Sequence, residues 1–220
     1  MEDFWVQYGD EMLPVIGDFP RQGSYLPSFM LVDDQKRDAP LEGFSHTPKL
    51  IVTLLSVDEE EHAGLLLLRE TRRFLDSWPH LKLIVITVDS PSSLARARHE
   101  HGLPNIALLS TLRGRDFHKR YGVLITEYPL SGYTSPSIIL ADAANVVHYS
   151  ERLANTRDFF NFDAIDALLQ EGEQQAMAAE REASEARQEQ EAEREKGTER
   201  LLEKAKLIQD QLGRNGGAGS

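Results

Sequence analysis

Two groups of side chains in this sequence are equipped for chemistry. His62 directly follows Glu59, Glu60 and Glu61, and an imidazole beside carboxylates is the usual equipment for acid–base catalysis or for a divalent metal. His99, Glu100 and His101, with His118 further along, bring more imidazoles close in sequence. On a helix, residues two apart face different ways, and the His-Glu-x-x-His spacing of a zinc site is missing. These histidines therefore read as surface groups, and the three glutamates before His62 read as solvated charge. No metal and no cofactor is expected. Arg113, Arg115, Lys119 and Arg120 form a basic cluster in an acidic chain. Arg113 and Arg115 are its candidate phosphate or partner contacts, unless the cluster pairs with a Glu-rich segment.

The chain has 220 residues and not one cysteine. That excludes disulfides, thiolate nucleophiles, zinc ribbons and iron–sulfur clusters together. A formal net charge of −12 disfavours nucleic acid and anionic membrane surfaces, which draw affinity from clustered Lys and Arg. The start Met1-Glu2-Asp3-Phe4-Trp5 does not read as a signal peptide. No run approaches the ~20 apolar residues that span a bilayer. A soluble, cytoplasmic protein is expected, with small molecules or other proteins as partners.

Positioning elements follow from the apolar runs. Leu50–Leu55, Leu83–Val88, Ile106–Leu109, Ser137–Leu140 and Val146–Tyr149 read as strands bounded by turn residues. Leu65–Ser77, Pro91–His101, Gly114–Tyr121 and Phe162–Gln170 carry helical spacing, with Gly122 placed to end the third. Strands alternating with helices predict a layered α/β fold. Residues 141–145 predict a hairpin between the last two strands, and Gly9-Asp10-Glu11 predicts another at the front. Phe4, Trp5, Tyr8, Trp78, Phe159, Phe160 and Phe162 read as packing anchors, and Met30 as a core residue.

Composition shifts near Glu171, which divides the chain into a domain over 1–170, a charged helical extension over 171–212 and a flexible tail over 213–220. From Glu173 to Lys196 every face is polar. Leu201, Ala205, Ile208 and Leu212 then recur at spacings of four, three and four, a short heptad-like stripe that could serve as an interaction arm. Two heptads fall short of the three or four that define a coiled coil, so a solvated helix is the competing reading.

The first part of the chain resembles the thiol peroxidase branch of the peroxiredoxins, which have a thioredoxin-like fold. The blocks that carry the likeness are Gly17-Asp18-Phe19-Pro20, Phe29-Met30-Leu31-Val32, Ser56-Val57-Asp58, Arg72-Arg73-Phe74 and Asp89-Ser90-Pro91. Leu109-Ser110-Thr111-Leu112-Arg113, Tyr121-Gly122-Val123 and Pro129-Leu130-Ser131-Gly132 extend it. The resemblance implies a thioredoxin-like α/β sheet with an N-terminal hairpin, and a homodimer. It also implies a Thr-x-x-Cys box at the first turn of a helix, where the helix end and an Arg make the thiolate that attacks peroxide.

This chain departs from that box. Counting forward from Asp58 puts Glu59 in the Thr place and His62 in the Cys place; counting back from Arg72 puts Gly64 and Leu67 there. The position of the resolving cysteine holds Arg98, and that of the activating arginine holds Pro136. Thioredoxin-like folds lacking that arginine often carry a cis proline at this point, beside a groove for extended peptides. A cis Pro136 is thus one of two readings of this bond, and Ser135 and Pro136 are candidate binding residues. Catalytic residues are expected to be absent, leaving a non-catalytic binding or assembly module. The alternatives are another enzyme class that reuses the pocket through His62, with Glu or a metal, and a methionine-based peroxide response.

Overall fold

A computed structural model describes residues 4–114 and 116–215, with the side chains of 203 and 207–215 excepted. In chain order the strands are β1 (Phe4–Tyr8), β2 (Glu11–Ile16), β3 (Met30–Asp33), β4 (Asp38–Pro40), β5 (Lys49–Thr53), β6 (Lys82–Thr87), β7 (Ala107–Ser110), β8 (Leu124–Ile125), β9 (Ser137–Ala141) and β10 (Val147–Arg152). The helices are α1 (Leu65–Leu75), α2 (Pro91–Glu100), α3 (Phe117–Arg120) and α4 (Phe162–Asn215). The chain divides into two compact units, 1–165 and 166–220.

Seven strands form the central sheet in the order β10-β9-β5-β6-β7-β3-β4. β5, β6 and β7 run parallel, and β9, β10, β3 and β4 extend the sheet by antiparallel pairing. The central strands read as unbroken apolar runs because both of their faces are covered. All five residues of β5 are buried, Lys49 included. Its ammonium donates to the carbonyl of Asp142 and to Asn145 Oδ1, and burial pulls its pKa below the ordinary lysine value while Asp142 opposes the shift.

A separate sheet joins the front hairpin β1-β2 to β8. Its start is tied to the main unit by Gln7 N–H on the Ala154 carbonyl and Thr156 N–H on the Gln7 carbonyl. The three parallel strands give two crossovers, through α1 and then α2, so the C-terminal end of β5 runs straight into the loop that opens α1. Open α/β sheets place their ligand sites at such carboxyl ends of parallel strands.

Several expectations are met in these elements. Ser90 caps α2 by accepting the Ser93 N–H, with Pro91 at the first helical position. Asn161 Oδ1 accepts the Ala164 N–H at the start of α4. The hairpin joining β9 and β10 is held by Asp142, whose Oδ1 accepts the N–H groups of Ala144 and Val146. Others are corrected. The helix expected over 114–121 shortens to α3, preceded by a 3-10 turn over Thr111–Arg113. Met30 is 50% exposed because β3 turns Leu31, not Met30, into the core. Trp5 and Phe159 are half-exposed, whereas Trp78 and Phe160 are buried and Phe162 stacks on Phe74.

The helix α4 is one element over 54 residues. From Glu171 to Leu202 every residue is exposed, as a sequence polar on all faces dictates. Arg115 lies outside the described residues, as do the side chains of Ile208 and Leu212.

Candidate functional site

The segment between β5 and α1 carries the residues on which the chemistry turns. Ser56 Oγ donates to Asp89 Oδ1 at 2.7 Å, while Val57 N–H and Thr87 Oγ1 donate to Asp89 Oδ2 at 2.7 and 2.8 Å. The Ser-Val-Asp and Asp-Ser-Pro blocks thus meet in space, and one carboxylate fixes the exit of β5 against the end of β6. A charge-assisted bond of this kind contributes about 1.5–3 kcal/mol.

Beyond Asp58 the chain folds back on the start of α1. The N–H groups of Leu65 and Leu66 donate to the carbonyls of Glu59 and Glu60, at 2.8 and 3.0 Å. Helix starts expose unpaired N–H groups that bind anions or depress a thiol pKa. Here two of them are consumed by the loop. Gly64 permits the approach, since a Cβ there would lie 1.9 Å from the Glu59 carbonyl oxygen.

Leu67 sits in the first turn of α1 and is 2% exposed. His62 lies in the loop ahead of the helix. Its Nδ1 lies 3.0 Å from Thr156 Oγ1 and its Nε2 lies 3.3 Å from an Arg157 guanidinium nitrogen, while its ring packs on Tyr8. Arg157 can only donate, so Nε2 accepts and Nδ1 carries the hydrogen to Thr156. Both ring nitrogens are engaged in fastening the loop. Glu60 pairs with Arg69 and Asp58 with Arg96. Among the described residues no group of three or more His, Asp or Glu is placed to hold a metal.

Arg98 lies in α2 and is fully employed. Nε donates to Asp34, Nη1 to the Leu103 carbonyl at 2.6 Å and Nη2 to the Ile106 carbonyl at 2.9 Å. It clasps the end of α2 to the turn after it and to the β3–β4 connection. Arg113 pairs with Asp38 on β4 and not with the glutamates of the α1 loop, because the 3-10 turn sets it over that strand.

Ser135 and Pro136 are buried. Of the two readings of Pro136 the trans one holds: among the described residues the cis peptide is Tyr128–Pro129, and Ser135–Pro136 is trans. Ser135 N–H donates to the Val123 carbonyl and Leu153 N–H to the Pro136 carbonyl, which holds the segment extended as it enters β9. Beneath it lies a group of hydroxyls that the sequence reading missed. Thr53 Oγ1 donates to the Ser135 carbonyl at 2.6 Å and touches Ser137 Oγ at 2.7 Å, and Thr134 Oγ1 donates to the Leu54 carbonyl. Ser135 Oγ is buried without a partner. The only signal for this group is the run Thr134-Ser135-Pro136-Ser137, four residues with three hydroxyls leading into β9.

His118 has its Nε2 buried without a partner. Burial holds its pKa below the ordinary histidine value of 6.5. The unfolded chain then binds a proton that the folded one refuses, so stability falls as pH drops below about 6.5. Urea titrations of the protein and of His118→Gln between pH 5 and 7 should show the protein losing stability against the variant on the acid side. Parallel curves would remove this account.

Residues 21–169 match the family model for Redoxin. The chain belongs to the redoxin family. A solved structure, "Thiol peroxidase from Chromobacterium violaceum", is 94% identical, with a TM-score of 0.78 over 79% of this chain and 99% of that one. The thiol peroxidase of Staphylococcus haemolyticus is 26% identical over 161 residues, covering 72% of this chain and 93% of that protein. The crystal structure of a peroxiredoxin-like protein from Aquifex aeolicus shares the fold, with a TM-score of 0.67 at 19% identity over 76% of this chain. This redoxin has no cysteine, so the peroxidatic thiol chemistry of such a fold is impossible in it. No helix among the described residues is long and apolar enough to cross a membrane.

Proposed function

We propose that this redoxin is a non-catalytic binding or assembly module that keeps the family scaffold without its reaction. The observation that carries this reading is the occupied start of α1. Leu67 fills the first-turn position from which a thiolate would act, and loop carbonyls take the helix N–H groups that would stabilise it. Pro136 supplies no guanidinium, and Arg98 is committed to three bonds of its own. His62 cannot replace a thiol, since the peroxidase cycle runs through sulfenate and disulfide. Partner contact is assigned to the exposed stripe that begins with Leu201, 70% exposed, and Ala205. The thiol peroxidase name carried by the relatives describes a chemistry this chain gave up.

A thioredoxin-coupled hydrogen peroxide assay tests the reading, run beside a cysteine-containing family member. The protein should show no turnover above buffer, and Leu67→Cys and His62→Cys should show none either. At 67 the introduced thiol is buried and lacks both helix N–H groups and arginine, so desolvation should hold its pKa at or above about 8.5. Peroxide turnover in any of the three proteins, or a Leu67→Cys alkylation midpoint below neutral pH, would overturn it.

A further inference from the structure

A cavity of about 510 Å³ opens beside the segment that follows β2, with Asp18, Phe19, Arg21, Tyr25, Arg120 and Arg152 in its lining. Its volume lies within the range of small-molecule sites. In a chain of net charge −12, three guanidinium groups and one carboxylate among the described residues line a single cavity. The arginines come from three separate places: the loop after β2, the end of α3 and the end of β10.

The wall is rigidly built. Asp18 N–H donates to the Lys119 carbonyl at 2.8 Å, which joins the loop to α3. Gly17 and Gly122 have φ of +114° and +58°, and a Cβ would lie 2.3 Å from the Lys119 oxygen in the first and 2.5 Å from the Phe19 nitrogen in the second. Two backbone segments are thus pressed together at distances only glycine tolerates.

The three arginines are held differently. Arg152 is fixed, its guanidinium 4.0 Å from the Phe4 ring centre and 4.8 Å from that of Phe19, with Nη1 donating to the Gly122 carbonyl at 3.1 Å. Arg21 and Arg120 are exposed, and among the described residues neither forms an ion pair; Arg120 has one long contact of 3.5 Å to the Ser28 carbonyl. Two forks of donors therefore remain available beside one that is already oriented. Guanidinium forks match phosphate oxygens two at a time. Tyr25, 72% exposed, with Pro20 and Pro27 also in the lining, offers apolar surface for an organic group next to the charge.

We propose that this cavity binds a small organic phosphate, its phosphate held by Arg21, Arg120 and Arg152 and its organic part lying on Tyr25. The site uses no residue of the α1 junction and stands apart from the loss of peroxidase chemistry.

Isothermal titration of the full chain with inorganic diphosphate, adenosine monophosphate and citrate tests it. Both phosphate probes should bind saturably at one site, and citrate more weakly. Arg21→Ala and Arg120→Ala, both surface changes, should each weaken phosphate binding about tenfold or more while leaving the circular dichroism unchanged. Asp18→Asn should tighten it by removing a repelling charge, and Tyr25→Ala should weaken the monophosphate but not diphosphate. Absence of saturable binding at millimolar probe overturns the proposal, as does binding indifferent to both arginines. Citrate binding as tight as either phosphate, or a monophosphate affinity unmoved by Tyr25→Ala, overturns the ligand class.

Discussion

Gly64→Ala is expected to dislodge the loop that closes the start of α1. The new Cβ would lie 1.9 Å from the Glu59 oxygen and 2.5 Å from its carbonyl carbon, and both are backbone atoms. Backbone cannot rotate aside as a side-chain tip can. Overpacking of this kind costs about 1–3 kcal/mol, and losing the two bonds from Leu65 and Leu66 adds roughly 1 kcal/mol for each. The sum is about 3–5 kcal/mol, or on the order of 10 °C in Tm for a unit of this size. Amide exchange gives the local reading: the N–H groups of Leu65 and Leu66 should lose protection before the rest of α1. An alanine variant with native Tm and native protection at both amides would show that the loop does not rest on the helix.

The second large effect is expected at Arg98. Arg98→Leu leaves the Asp34 carboxylate, 9% exposed, without its cation, and leaves the Leu103 and Ile106 carbonyls without a donor. Breaking a buried pair costs about 3–5 kcal/mol. The arginine side chain is 30% exposed, so water recovers part of this and about 2–3 kcal/mol is expected. A double-mutant cycle with Asp34→Asn separates the pair from the carbonyl contacts. A coupling energy near zero would mean that the ion pair contributes nothing and that Arg98 acts through the carbonyls alone. Arg98→Cys, which likewise removes the guanidinium, should lose as much stability as the leucine variant.

What the sequence made legible follows from where burial is two-sided. β5, β6 and β9 are buried almost throughout, so their apolar runs stand out without any knowledge of partners. β3, β4 and β8 have four, three and two residues, too few for a period to show, and pairing alone makes them strands. The segment over 114–121 has helical spacing, but Gly114 packs against Leu31, and the chain tightens into a 3-10 turn ahead of it. The absence of thiol chemistry was legible from composition alone. Which residue stands at the helix start was not, because two ways of counting disagree and only the observed boundary at Leu65 separates a first-turn residue from a loop residue. Topology alone leaves Pro136 open between cis and trans, because the bonds from Ser135 to Val123 and from Leu153 to Pro136 are long-range and leave no local trace. The Arg-lined cavity was also out of reach, since its arginines lie 99 and 32 positions apart along the chain.

The folded-back loop has a bearing on history. The two counts across it differ by five residues, and the stretch Glu59–Ala63 is itself five residues long. A cysteine or an arginine can be introduced by changing one codon. A loop that occupies the helix end with its own main chain cannot be undone that way, because every amino acid brings the same carbonyl. On the proposed reading, a working peroxidase would need four exchanges, at Gly64, Leu67, Arg98 and Pro136, together with removal of the loop. Substitution alone explores neighbours of this protein that share its closed helix, and on those routes the path back is shut.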